Sequence, residues 1–176
     1  GLLISNDFQI GIAPNVTLGM AAALSADGDN NTGSETRVGD AIRWCVFDFE
    51  ADIISLSLGG EQDQSASREG PAVSATRQAI DEGIFVVAAA GNDGGSADDG
   101  FVSAPGNVNL AITVGASNKD GSVWSQSSMG ELVDSTGNPR IFPHQKPELT
   151  APGVGIVSTG KNNQWFSSSG TSDATV

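Results

Sequence analysis

The sequence predicts an α/β fold in which a parallel sheet is flanked by helices. Short apolar runs at residues 52–60, 84–92 and 110–116 have the length and composition of buried strands. Apolar side chains recur at helical spacing in residues 71–83, between the first two runs, and in residues 36–49, before them. Strands that alternate with helices favour a parallel sheet, with functional groups gathered at the carboxyl ends of the strands.

The first part of the chain adds a further predicted strand and an exposed loop. Residues 15–24, NVTLGMAAAL, form a compact apolar run that we interpret as a strand. Residues 25–35 are rich in Asp, Asn and Gly, so we expect a turn-rich loop there. A helix is then predicted from Thr36 by apolar residues three and four positions apart: Val38, Ala41, Ile42, Cys45, Val46 and Phe49.

Proline and glycine mark the ends of a second predicted helix, and the absence of a linker bears on the number of domains. Pro71 suits the first turn of a helix, and the apolar spacing after it stops near Gly83. Beyond Ser117 the units become shorter, and no long helix is predicted before Thr171. We expect residues 1–176 to form one partial domain of a longer protein, because the sequence lacks an initiating Met, a signal peptide and a linker.

The balance of charges excludes some classes of partner. The chain has 176 residues and a formal net charge of −13 at pH 7, which would repel nucleic acids and anionic membrane surfaces. No apolar run approaches the length of a membrane-spanning helix, about 18 residues or more. The acidic bias favours a protein from a hypersaline environment, where salt screens self-repulsion, and an ordinary acidic secreted protein is the alternative.

Several predicted strand ends carry residues that suit a catalytic or peptide-binding site. These ends are SLGG at residues 57–60, AAGN ending at Asn92, and TAPG at residues 150–153. Glycines at such positions let a substrate backbone approach closely, and an asparagine amide can donate a hydrogen bond to a developing oxyanion. The sequence GTS places Ser172 at the start of a predicted helix, as expected for an oriented nucleophile.

Six segments of the sequence match the motifs of one enzyme family in the family's order. They are GIAPNVTLGMAAALSADG, ADIISLSLGG, VVAAAGND, SAPGNVNLAITVGA, KPELTAPGVGIVST and SSGTSDAT, and they run from Gly11 to Thr175. The chain therefore resembles the subtilisin-like serine proteases, the subtilases. The resemblance implies a subtilisin-like parallel sheet with flanking helices that lacks its amino-terminal strands and the end of the nucleophile helix. It also implies hydrolysis of polypeptides through an acyl-enzyme on Ser172.

The resemblance assigns roles to individual positions of this sequence. Ser172 corresponds to the nucleophile, and Asn92 corresponds to the side-chain donor of the oxyanion hole. Family habit also implies an extracellular location. The implied substrate-binding residues are Ser57, Leu58 and Gly59 on a strand that pairs with substrate, Ala89, Ala90 and Gly91 on a wall of the specificity pocket, Ser103 near its floor, and Leu24 and Gly28 at more distal pockets.

The general base that a serine nucleophile needs is missing from the sequence. Subtilases carry their triad in the order Asp, His, Ser, and neither an Asp-[Ser/Thr]-Gly nor a His-Gly-Thr-His motif is present. The one histidine, His144, lies between two prolines, and we interpret it as an exposed loop residue. We therefore expect the Asp and His to precede residue 1, and we expect this chain alone to be inactive.

Two departures from the family motif leave other functions open. Asp173 follows the serine where many subtilases have Met, and Val176 stands where Pro is usual. A carboxylate at this place opposes negative charge developing nearby, although a helix N-terminus also favours Asp. The first alternative is a catalytically inactive subtilase-like domain that binds extended peptides. The second is an unrelated α/β binding domain, which would make the ordered matches a coincidence.

Metal binding and self-association are the remaining expectations. Residues 27–35, DGDNNTGSE, lack the central Gly and the final Glu of an EF-hand, so we reject that motif. The resemblance allows calcium as a cofactor, with Asn6 and Asp7 as candidate ligands, but it assigns no certain metal site. Amino-terminal strands outside the sequence would leave apolar sheet edges exposed, and such edges favour pairing with another copy of the chain.

Overall fold

The computed structural model describes residues 2–5, 11–27, 30–60, 70–95, 100–130, 145–160, 162 and 164–176. The elements in chain order are β1 (Ser25–Asp27), β2 (Asn30–Thr32), α1 (Glu35–Phe47), β3 (Ile53–Leu56), α2 (Pro71–Asp81), β4 (Phe85–Ala89), β5 (Ile112–Ser117), β6 (Leu149–Pro152), β7 (Ile156–Thr159), β8 (Trp165–Ser168) and α3 (Thr171–Ala174). None of the helices in these residues is long and apolar enough to cross a membrane.

A parallel sheet forms the centre of the fold. Its strands lie in the order β3-β4-β5-β6, and each neighbouring pair is parallel. Two antiparallel hairpins, β1–β2 and β7–β8, lie outside this sheet. The α/β class and the parallel sheet predicted from the sequence are therefore confirmed.

Both predicted long helices are present, with ends that follow from local chemistry. Ser34 caps α1, because its Oγ accepts a hydrogen bond from the backbone N–H of Arg37 at 3.2 Å. Pro71 occupies the first turn of α2, where its missing N–H leaves no helical bond unmade. Gly83 follows that helix at a φ of +86°, a conformation that favours glycine and ends the helix.

The prediction of a strand over residues 15–24 is wrong. Residues 17–24 belong to no strand, and the N–H of Ala23 bonds within the segment to the carbonyl of Ala21. A β-strand needs a neighbouring strand that pairs with its backbone N–H and C=O groups. An apolar composition does not show whether such a neighbour is present. The loop expected over residues 25–35 contains instead the β1–β2 hairpin, followed by the start of α1.

The larger core lies between the two long helices and one face of the sheet. It contains Val38, Ile42 and Val46 of α1, Ala72, Ala75 and Ala79 of α2, Ile54 and Leu56 of β3, Val86 and Ala88 of β4, and Ala23. Small side chains let the helices approach closely. A Cβ on Gly39 would lie 2.8 Å from the carbonyl oxygen of Pro71, so glycine permits this contact.

The opposite face of the sheet packs against the carboxyl-terminal helix. Val114 and Ala116 of β5 are buried together with Ala174 of α3, and Val87 and Ala151 pack partly against them. Successive residues of a strand point to opposite faces, so β4 contributes Val86 to one core and Val87 to the other. This packing holds the start of α3 beside the carboxyl ends of the strands.

Replacement of Ile42 tests the larger core. Ile42 is 1% exposed, so we expect Ile42→Ala to lower the free energy of unfolding by about 2–5 kcal/mol through lost burial and a residual cavity. Ile12→Ala makes the same chemical change at a side chain that is 78% exposed, and we expect a change within about 0.5 kcal/mol. Urea unfolding measures both. Equal losses would contradict the assignment of Ile42 to the core.

Candidate active site

The carboxyl ends of neighbouring strands and the start of α3 enclose a pocket of about 230 Å³. Ser57 to Gly59 directly follow β3, Gly91 and Asn92 come soon after β4, and Ser172 is the second residue of α3. This is the end of a parallel sheet at which the sequence predicted functional groups. The pocket is lined by Leu58, Gly59, Ala89, Gly91, Asn92, Asp93, Ser103, Thr171 and Ser172.

Backbone bonds from the ends of β5 and β6 fix where α3 begins. The N–H of Gly170, which precedes the helix, donates to the carbonyl of Gly153 at 2.8 Å. The N–H of Gly153 donates in turn to the carbonyl of Ser117, the last residue of β5, at 3.1 Å. Because α3 has only four residues, its position depends on such contacts and not on its own helix stability.

Asn92 and Thr171 join the end of β4 to the start of α3. The Oδ1 of Asn92 accepts from the backbone N–H of Thr171 at 2.9 Å and from its Oγ1 at 3.0 Å. The Oγ1 of Thr171 accepts in turn from the N–H of Gly91 at 3.1 Å. Thr171 is 1% exposed, so these bonds are shielded from water.

This arrangement sets the direction of the Asn92 amide. The backbone N–H of Thr171 can only donate, so the atom of Asn92 that faces it must be the oxygen. The Nδ2 group is left to donate elsewhere. Gly170 has no side chain, and the position that a Cβ would occupy there serves as a reference point. Nδ2 of Asn92 lies 3.5 Å from this point, and the backbone nitrogen of Ser172 lies 3.7 Å from it. Two N–H donors are therefore brought to the same place beside Ser172.

Ser172 forms a reciprocal pair with Ser57. The Oγ of Ser172 donates to the carbonyl oxygen of Ser57 at 3.0 Å, and the Oγ of Ser57 donates to the carbonyl oxygen of Ser172 at 2.8 Å. Within the described residues, no imidazole is hydrogen-bonded to the Ser172 hydroxyl. The pair positions the hydroxyl at the pocket, but a carbonyl oxygen cannot serve as the base that would activate it.

Close approach of backbone segments forms the wall and floor of the pocket. Gly91 has a φ of +110°, and a Cβ there would lie 2.4 Å from the Oγ of Ser103 and 2.8 Å from the Oγ of Ser128. Only glycine suits this position. The N–H of Ser103 donates to the carbonyl of Ala90 at 2.7 Å, which holds the floor segment against the wall.

The structure brings most of the predicted site residues together, but not all. Ala90 is fully buried and does not line the pocket, so its backbone alone contributes. Leu24 lies outside the pocket, with its side chain beside Gly33. Gly28 lies outside the described residues. The catalytic and substrate-binding roles of these and of the other predicted site residues stay predictions.

Sequence reasoning missed the site roles of Thr171 and Asp93. Both line the pocket, and Thr171 also orients Asn92. Thr171 stands next to the predicted nucleophile, and a hydroxyl that is buried at such a place needs hydrogen-bond partners. Its position in the sequence was therefore a signal that could have identified Thr171. The exposed Asp93 follows Asn92, and no pattern in the sequence distinguishes it from the other acidic loop residues.

Asp173, the residue after Ser172, does not line the pocket. Its Oδ1 accepts from the Oγ of Ser168, at the end of β8, at 2.7 Å, and neither residue lines the pocket. Within the described residues, the carboxylate forms no ion pair, and Ser168 is its only side-chain partner. The carboxylate is therefore held by Ser168 and does not line the pocket beside Ser172.

A buried lysine supports the pocket floor from behind. Lys146 is 3% exposed, and its Nζ donates to the carbonyl of Ala111 at 2.7 Å, to the Oγ1 of Thr113 at 3.0 Å and to Glu148 at 2.7 Å. Thr113 donates through Oγ1 to the carbonyl of Gly106, close to Ser103 in sequence. Burial lowers the pKa of Lys146, and the hydrogen bond that its ammonium donates to Glu148 opposes this shift.

The candidate calcium ligands Asn6 and Asp7, and His144, lie outside the described residues. In the part of the chain that the structure describes, no three His, Cys, Asp or Glu side chains cluster as a metal site would require. No role for a metal is therefore derived from this geometry.

The α/β domain thus holds a serine at the start of a helix, beside a locked asparagine amide at the carboxyl end of a parallel sheet, and this arrangement suits the chemistry of a serine hydrolase. The model of the subtilase family matches residues 3–176, so the chain belongs to the subtilase family. The resemblance read from the motifs and the subtilisin-like fold are thereby confirmed.

Known proteins agree with this assignment. Serine protease AprX of Bacillus subtilis (strain 168) is 32% identical over 94% of this chain and 41% of its own length. The major intracellular serine protease of the same organism is 33% identical over 99% of this chain and 49% of its own length. A solved structure, the S218A mutant of the protease domain of PatA, shares the fold with a TM-score of 0.78 at 23% identity, covering 99% of this chain and 57% of that one. The chain spans about half the length of the curated relatives it matches.

Removal of the buried ammonium tests the support of the pocket floor. Lys146→Met leaves the carbonyl of Ala111 and the hydroxyl of Thr113 without their donor, so we expect a loss of about 1–3 kcal/mol in the free energy of unfolding. Lys119→Met makes the same change at an exposed position, where we expect less than about 0.5 kcal/mol. Urea unfolding compares the two variants. An unchanged stability of Lys146→Met would show that the buried network contributes nothing.

Proposed function

We propose that this chain is the carboxyl-terminal part of the catalytic domain of a subtilisin-type serine endopeptidase, with Ser172 as the nucleophile. The observation that carries the proposal is the pair of N–H donors, Asn92 Nδ2 and the backbone of Ser172, held beside the serine by Thr171. Such donors are useful only if negative charge develops between them. Membership of the subtilase family agrees with this reading.

The proposed reaction is acyl transfer followed by hydrolysis. The Oγ of Ser172 attacks the carbonyl carbon of a peptide bond while its proton passes to a histidine base. The carbonyl oxygen becomes an oxyanion that accepts hydrogen bonds from Asn92 and from the backbone of Ser172. Collapse of this intermediate expels the amine, which takes the proton back from the histidine, and water then hydrolyses the acyl-enzyme by the same route.

The base and its orienting carboxylate belong, in this proposal, to residues that precede residue 1. The hydroxyl of Ser172 lies on the exposed side of the site and is held by one hydrogen bond to the Ser57 carbonyl. Rotation about a single side-chain bond would redirect it to a neighbouring imidazole. This chain alone would then be inactive, because Ser172 without a base is a poor nucleophile.

Polypeptide substrates fit the site best. The segment after β3, Ser57 to Gly59, would pair with an extended backbone: Leu58 and Gly59 line the pocket, and Ser57 bonds to Ser172. Ala89, Gly91 and Ser103 would receive the side chain that precedes the scissile bond. Apart from Leu58, the side chains lining this pocket are small or polar, and Asp93 adds an acidic group to it. The peptide backbone is therefore the feature that all substrates would share.

The acidic composition supports the further proposal of a salt-adapted enzyme, and the habit of the family supports a secreted one. A net charge of −13 is tolerated more easily where salt screens repulsion between like charges. The relatives include an enzyme named as intracellular, so family membership does not decide the location.

Self-association also stays a proposal. It is supported by the edge position of β3, whose Ile53 is 62% exposed.

Labelling of the nucleophile tests the proposed function directly. We expect a fluorophosphonate to modify Ser172 in the full-length protein that contains this chain, in molar salt, with the site mapped by mass spectrometry. Ser172→Ala should abolish the label, and Ser167→Ala, an exposed serine of β8, should keep it. No label on demonstrably folded protein would contradict the protease proposal and favour the inactive peptide-binding domain.

Asn92→Asp tests the oxyanion donor without disturbing its support. Aspartate keeps the oxygen that accepts from Thr171 but replaces the Nδ2 donor by a second oxygen. We expect kcat to fall by about 10²–10³, a loss measured for such a donor in a subtilisin and carried over to this chain. Asn109→Asp is the matched control, because its Oδ1 also accepts from a backbone N–H, at 3.1 Å, in an exposed loop. Unchanged kcat in Asn92→Asp would remove this residue from the mechanism.

A further inference from the structure

We infer that Ser128 is a positioning residue for Asn92, the proposed side-chain donor of the oxyanion hole. Ser128 is 1% exposed and does not line the pocket, so its side chain would not touch a substrate. It would act instead through hydrogen bonds to the backbone on either side of Asn92. This role rests on the proposed function, because a donor needs accurate placement only where an oxyanion forms.

Ser128 contacts both chain neighbours of Asn92. The backbone N–H of Ser128 donates to the carbonyl of Gly91 at 3.0 Å, and its Oγ accepts from the backbone N–H of Asp93 at 3.0 Å. Because Ser128 is buried, water has little access to its side of these two bonds. The main chain is therefore held immediately before and immediately after Asn92.

The segment around Asn92 needs support from outside. Within the described residues, the backbone N–H and carbonyl of Asn92 form no hydrogen bonds of their own. Gly91 and Gly94 lack the side chains that would restrict the main chain. The bonds to Thr171 fix the Oδ1 end of Asn92, but the direction of Nδ2 also depends on where its Cα lies. Ser128 supplies this second constraint.

Ser128 is in turn tied to the central sheet. It ends the segment of residues 124–128, in which the N–H of Trp124 donates to the carbonyl of Ala116, on β5, at 2.9 Å. The Oγ of Ser127 accepts from the N–H of the same Ala116 at 3.0 Å. The support of the oxyanion donor thus extends from β5, through Ser128, to the loop after β4.

The two adjacent serines form a matched pair for a test. Both are buried, and the Oγ of each accepts one backbone N–H at 3.0 Å, from Asp93 for Ser128 and from Ala116 for Ser127. After Ser127→Ala, the N–H of Trp124 would still tie the segment to β5. A loss of catalysis that is confined to Ser128→Ala would therefore come from the contact with the Asn92 loop.

The kinetic test measures kcat and KM for peptide hydrolysis by the full-length protein that contains this chain. We expect Ser128→Ala to lower kcat by about tenfold, a part of the loss of about 10²–10³ expected when the donor itself is removed. KM should stay the same, because the donor acts in the transition state. Ser127→Ala should leave both constants unchanged.

A double variant separates a positioning role from a structural one. If Ser128 acts through Asn92, adding Ser128→Ala to Asn92→Asp should cause no further fall in kcat, because the donor is already absent. Losses that multiply in the double variant would overturn the inference. So would an equal loss of kcat in Ser127→Ala, or an unchanged kcat in Ser128→Ala together with lower stability.

Exchange of the Asp93 amide hydrogen with solvent tests the contact without reference to turnover. Loss of the hydroxyl should speed this exchange, followed by NMR, in Ser128→Ala and not in Ser127→Ala. Unchanged exchange would show that the bond to Asp93 does not hold the loop, and would overturn the inference alone. Absence of cleavage by the wild type, with exchange as expected, would overturn the proposed function and leave Ser128 a structural contact only.

Discussion

The site depends on the hydrogen bonds between Asn92 and Thr171. They join the end of β4 to the start of α3, two elements that no local sequence preference would bring together. The same bonds point the Asn92 amide in one direction and place Ser172 at the pocket. Each bond contributes only about 1 kcal/mol to stability, but together they determine the geometry on which the chemistry would depend.

The parallel sheet makes this geometry available. Strands that run in one direction bring their carboxyl ends to one edge, so Ser57, Gly91 and Gly153 lie around the same helix start although they are far apart in sequence. The packing of Ala174 against Val114 and Ala116 holds the helix from below, and the bond from Gly170 to Gly153 holds its entry. A four-residue helix could not keep this position without the sheet.

The sequence predicted those parts of the molecule that depend on local patterns. Helical spacing identified α1 and α2, because each of these helices buries one face. Continuous apolar runs identified β3, β4 and β5, because strands of a covered parallel sheet are buried on both faces. Residues 15–24 failed because a strand needs a partner that composition does not reveal. The bonds of Lys146 to Ala111 and Thr113 join positions more than 30 residues apart, and no spacing rule connects them. Ser172 and Asn92 were found through family motifs, whereas Thr171 emerged only when its contacts were seen.

The acidic neighbour of Ser172 is compatible with catalysis for a reason that lies in the charge balance of the proposed step. Proton transfer creates an oxyanion and an imidazolium together, so the reacting centre stays neutral as a whole. A nearby carboxylate opposes the first charge and favours the second, and the two effects largely offset each other. An acidic residue directly after the serine is therefore compatible with the proposed step, and its bond to Ser168 gives it a place in the local structure.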